Sequence, residues 1–155
     1  MPPEYVGNGY EVIDEEGRVL RVVPPAPSAE ELRRRVVAQR QASADAQLRR
    51  LYPRVADLEV ARGHQLRDLD GLIALARGSL QGVRQRALEL ERQAAESQRA
   101  GQPVPAALLQ QLERLRGEQH QAEAELQRLQ ELRQRSETRF AADRLRLIEI
   151  LGREP

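Results

Sequence analysis

The sequence predicts a mainly α-helical fold: a long antiparallel two-helix coiled-coil hairpin, with a third helix packed at its base and a short N-terminal β-hairpin. Three observations carry this. Apolar residues step four and three across nearly a hundred residues in the C-terminal part of the chain. Only one strong turn cluster, Ala100-Gly101-Gln102-Pro103-Val104-Pro105, interrupts them, and it lies midway. The composition, with 32% charged residues, 3% aromatics, no Trp and one Phe, is that of long helices rather than of a compact globule, whose core normally draws on aromatic area.

Residues 1–27 form the first section, a short β-hairpin segment. Tyr10, Val12 and Ile13 make one β-prone run, and Val19, Leu20, Val22 and Val23 make a second. Asp14-Glu15-Glu16-Gly17 between them is a hairpin turn signal. Pro24-Pro25-Ala26-Pro27 lacks the amide donors that a ladder needs, so pairing stops there. An isolated two-stranded hairpin is marginal in water, so the segment is expected to pack on a helix or on further strands.

Residues 28–155 form the helical section, with helices over about 29–50, 53–99 and 105–151. Ser28-Ala29-Glu30-Glu31 reads as a capping box, with the Ser28 hydroxyl on the Glu31 amide and the Glu31 carboxylate on the Ser28 amide. Pro53 is tolerated only in a first turn, so the chain breaks at 51–53 and a new helix begins. The second helix repeats Leu69, Ile73, Ala76, Leu80, Val83, Ala87, Leu90 and Ala94. Gly101 provides the left-handed cap, and Pro105 is placed in the first turn of the third helix.

The third helix repeats Leu108, Leu112, Leu115, Gln119, Ala122, Leu126, Leu129, Arg133, Ser136, Phe140, Asp143, Leu147 and Ile150. The two arms have equal length, about 70 Å each at the helical rise. Folding them about the turn pairs residues whose numbers sum to about 205: Leu90 with Leu115, Val83 with Ala122, Leu80 with Leu126, Ala76 with Leu129 and Leu66 with Phe140. Toward the base the stripe widens, adding Leu72, Leu75, Leu132, Leu145, Ile148 and Leu151, which calls for a further covering element. Helix one, with Leu32, Val36, Val37, Ala44 and Leu48, is the local candidate, and a homodimer interface is the alternative.

Charge is uneven. Residues 1–31 hold seven acids and two arginines, residues 32–155 hold 23 arginines and 17 acids, and the total is +1 with no lysine. Such arginines suit solvated helix faces. A nucleic-acid surface is not expected, because aromatics for base stacking are missing and Glu and Gln dilute the charge. Without cysteine there is no disulfide, thiol nucleophile or thiolate metal site. No apolar run is long enough for a membrane span.

No catalytic, cofactor-binding or metal-binding residue is assigned, and the chain is expected not to be an enzyme. His64 and His120 lie about twenty positions apart on the pairing rule and cannot share a metal. Glu89 with Glu91, Glu123 with Glu125, and Asp68 with Asp70 are two apart on a helix, so each pair diverges and forms no acid/base couple. Asp143, at a seam position, is expected to pair with Arg62 opposite. Gly7-Asn8-Gly9 lacks the lysine and the strand-to-helix setting of a phosphate loop and reads as a turn. Gly78 and Gly82, four apart on one helix, mark either close backbone approach or a flexible point.

Tyr10, Val12, Asp14, Gly17 and Pro24-Pro25 together resemble part of a small β-domain of unknown function found at the N-terminus of many proteobacterial envelope proteins. In that pattern Val12 stands for the usual aromatic, and Val23 stands near an expected Asp. The resemblance covers residues 2–25 as a truncated domain followed by its coiled coil. It implies a periplasmic or secreted location, a native chain longer at the N-terminus, and no known activity. The expected function is a structural or interaction protein, a scaffold or adaptor with an unknown protein partner. The alternative is a periplasmic holdase-type chaperone with helical arms, which the sparse apolar tip (Val104, Leu108, Leu109) disfavours.

Overall fold

The computed structural model describes residues 9–153, which fall into two units divided between Arg50 and Leu51. In the first unit, β1 (Tyr10–Ile13) and β2 (Val19–Val23) form an antiparallel two-stranded sheet. The register pairs Tyr10 with Val23, Glu11 with Val22, Val12 with Arg21 and Ile13 with Val19, with an irregularity between Val12 and Ile13. Asp14 builds the turn. Its carboxylate accepts from the Glu16 amide at 3.0 Å and the Arg18 amide at 2.8 Å. Gly17 takes a φ of 80°, a left-handed conformation natural to a residue without Cβ. Every strand side chain except Val23 is exposed. Of the Gly7-Asn8-Gly9 turn, Gly7 and Asn8 lie outside the described residues.

α1 (Ala29–Leu51) starts on the expected capping box. The Ser28 amide donates to Glu31 Oε2 at 2.8 Å, and the Glu31 amide donates to Ser28 Oγ at 3.2 Å. Leu48 is buried, whereas Leu32, Val36 and Val37 are exposed.

The second unit is the hairpin of α2 (Val55–Arg99) and α3 (Ala106–Gly152), which pack closely along their length. α2 begins two residues later than the sequence suggests. The Asp57 carboxylate reaches back to the Arg54 amide at 3.1 Å, so Pro53 and Arg54 stay outside the helix. At the tip, the Gln102 amide donates to the Ser97 carbonyl and the Gly101 amide to the Gln98 carbonyl. With Gly101 at φ 70°, this is a Schellman ending. Pro105 stands one residue before α3, its carbonyl accepting from the Leu108 and Leu109 amides, rather than within the first turn.

The core is a single seam. Leu58, Leu66, Leu69, Ile73, Leu80, Val83 and Ala87 are buried on α2, and Leu112, Leu115, Leu129, Ser136, Phe140 and Leu147 on α3. The completely buried side chains, Leu58 and Leu147, are opposite each other on the pairing rule. Val83, Ala87 and Leu115 form one cluster, with Leu90 packed against it. Ser136, the buried polar residue, falls opposite Leu69, so a small side chain faces a large one. In the widened stripe at the base, Leu72, Leu75, Leu132, Leu145 and Ile148 are exposed. At Gly78 and Gly82 an added Cβ would meet nothing within 4 Å, so neither marks a close backbone approach.

Candidate functional site

Burying one stripe on each helix leaves two flanks, and they differ in chemistry. The first flank consists of residues that immediately follow a seam position: Glu59, Asp70 and Arg84 on α2, and Glu123, Glu137 and Arg144 on α3. Opposite charges meet here across the hairpin. Arg144 pairs with Glu59 at 2.9 Å, Arg62 with Glu137 at 3.0 Å, Arg84 with Glu123 at 2.8 Å, and Arg133 forks onto Asp70. Arg62 also approaches Glu59, and Arg133 also reaches Glu137 at 3.0 Å. The result is a continuous chain, Arg144–Glu59–Arg62–Glu137–Arg133–Asp70, along the base. Arg144–Glu59, Arg133–Asp70 and Arg84–Glu123 have residue numbers summing close to 205, as the register requires, and Arg62 reaches farther along the flank to Glu137.

The electrostatics follow the contacts. The Arg133 guanidinium hydrogen-bonded to Asp70 holds that carboxyl below its ordinary pKa, and Asp70 in turn raises Arg133. The Gln119 amide, then Arg84, lowers Glu123 in the same way. These groups are solvent-accessible, so the network sets register more than it adds stability.

The expected Arg62–Asp143 pair is not formed. Arg62 turns to Glu59 and Glu137, while Asp143 lies 3.7 Å from Arg139, one turn back on its own helix. Glu137 wins because it lies on the flank, where an extended guanidinium reaches it without entering the seam. Only part of the network is legible in the sequence: Arg84–Glu123 and Arg144–Glu59 join residues just after seam positions, whereas Arg62 and Arg133 reach out from seam positions to the flank.

The second flank consists of residues that immediately precede a seam position. On α2 these include Leu72, Ser79 and Arg86, and on α3 Glu118, Glu125, Leu132, Arg139 and Arg146. The ion pair between the helices here is Arg86–Glu118, at a loose 3.8 Å near the tip. Farther along lies a shallow open groove of about 310 Å³ between Leu72, Leu75, Ser79 and Ala122. A second groove of about 370 Å³, bounded by Arg86, Leu90, Leu115 and Glu118, continues it toward the tip.

The residues weighed for chemistry are dispersed. His64 and His120 are exposed, and His64 Nδ1 lies 3.1 Å from the Arg67 guanidinium. Glu89 is occupied by Arg92 and Gln93, and Glu125 by Arg128. Asp68 and Glu91 are exposed on α2. Among the described residues no three His, Cys, Asp or Glu converge as metal ligands, and no helix is long and apolar enough to cross a membrane. Compared with known protein families, characterised proteins and solved structures, the chain matches none.

Proposed function

We propose that this chain is a non-enzymatic interaction protein of the bacterial cell envelope, a coiled-coil rod that holds or spaces protein partners. The observation that carries this reading is where the chain spends its apolar residues. Two helices of 45 and 47 residues bury a single seam against each other, and most of their outer faces remain exposed. Arms of this length present about 70 Å of helical surface, far more than their own folding uses. The envelope location is supported by the resemblance at Tyr10, Asp14, Gly17 and Pro24-Pro25.

The test is site-specific photocrosslinking in cells, with the probe at the exposed positions Leu88 and Leu109 on the two arms. The expected result is an adduct of discrete mass containing another envelope protein or a second copy. The absence of any adduct from both positions, or adducts only with cytosolic proteins, overturns the reading.

A further inference from the structure

The second flank of α3 carries an ordered charge pattern. Glu118, Glu125, Leu132, Arg139 and Arg146 are spaced by seven, each immediately before a seam residue, so they line one side of the helix in a fixed relation to the core. Two acids, one leucine and two arginines in that order are complementary to themselves when reversed. On the first flank the complement of each charge is supplied within the chain. Here it is supplied only in part: Glu118 meets Arg86 across the hairpin, whereas across from Glu125, Leu132 and Arg139 stand Ser79, Leu72 and Gln65. The charged residues do have neighbours on their own helix, Arg128 for Glu125, Asp143 for Arg139 and Glu149 for Arg146. The Glu125–Arg128 pair, exposed on both sides and one turn apart, is weak and readily exchanged.

We infer that this flank binds a second copy of the chain, with the two α3 helices antiparallel about a twofold axis at Leu132. Reversal brings Glu125 opposite the second copy's Arg139, a pair made twice by symmetry. A parallel arrangement would stack Glu on Glu and Arg on Arg, which the charges forbid. At the centre the axis gathers the apolar residues that the single chain leaves open: Leu132 at 41%, Leu72 at 48% and Leu75 at 72% exposure. Beside them Gly71, Gly78 and Ser79 keep the α2 surface low, so that two hairpins can approach closely. The stripe from Glu118 to Arg146 spans about 42 Å at the helical rise, long enough for two-helix faces to bury an interface of standard size.

The inference deepens the reading as an interaction protein by naming one partner, and its test is separate from that reading. Sedimentation velocity of the full chain at low salt is expected to show a dimer that weakens as salt is added. Glu125→Arg places arginine against the second copy's Arg139 and is expected to weaken the dimer at least about tenfold. Adding Arg139→Glu restores opposite signs, and the double variant is expected to recover the dimer. Leu132→Cys, in a chain with no other cysteine, is expected to give a disulfide-linked dimer on oxidation. Circular dichroism checks that each variant keeps its helix content. A wild-type monomer, a dimer indifferent to Glu125→Arg, or a double variant no better than the single one overturns the inference. A monomer that still forms adducts with another protein in cells rejects the second copy and leaves the interaction reading standing.

Discussion

At the scale of single residues, the hairpin depends on a few side chains whose burial is unequal to their number. Phe140 is the sole phenylalanine and is 5% exposed, opposite Leu66 in the expected register. Phe140→Ala would remove most of a ring and leave a cavity in the seam, at a cost of about 3–5 kcal/mol. Equilibrium urea unfolding should show that loss. An unchanged midpoint would place the ring outside the core. Gly78 behaves in the opposite sense. It lies inside α2, a Cβ there meets nothing, and its φ is not in the left-handed region. Gly78→Ala should therefore stabilise by about 1 kcal/mol through helix propensity and reduced freedom of the unfolded chain. A lower unfolding midpoint in that variant would show that the position tolerates only glycine.

At the scale of elements, most boundaries were legible because each has a local chemical cause. Ser28 and Glu31 define the start of α1, and Gly101 the end of α2, through side-chain and backbone donors that sequence displays directly. The start of α2 was not legible to the residue. Pro53 offers a first-turn position, yet Asp57 caps at Arg54, and a carboxylate three residues into a helix outweighed the proline's fixed φ. The seam was legible from its spacing, and the flanks were read only in part. The Arg62–Asp143 expectation failed because it paired seam position with seam position, whereas long charged side chains settle beside the seam. The register itself can be checked covalently. Cysteines introduced at Val83 and Ala122 should form an intrachain disulfide on oxidation, seen as faster migration of a monomeric band without reductant. Linkage of these positions only between different chains would show that the arms pair between molecules.

At the scale of the whole molecule, the candidate site was the least legible part. Periodicity states which residues face a neighbouring helix, but it does not state which flank already finds its complement inside the chain. That asymmetry emerged only when Arg144, Arg62, Arg133 and Arg84 were found reaching across to acids on one flank, with Leu132 left open on the other. The widened stripe at Leu72, Leu75, Leu145 and Ile148 was likewise read correctly as apolar, but its exposure required coordinates.

The equal arms have a consequence for how such a gene can change. A seven-residue insertion in α2 alone would slide every layer beyond it out of step, setting Leu58 and Leu147 against strangers. The same insertion matched by another at the facing point of α3 would restore each layer and lengthen the rod by about 10 Å. Length can therefore drift only by paired events at distant points in the reading frame, joined through the turn at Gly101 rather than through adjacency in the DNA. The ruler is edited from both sides at once, or it is broken.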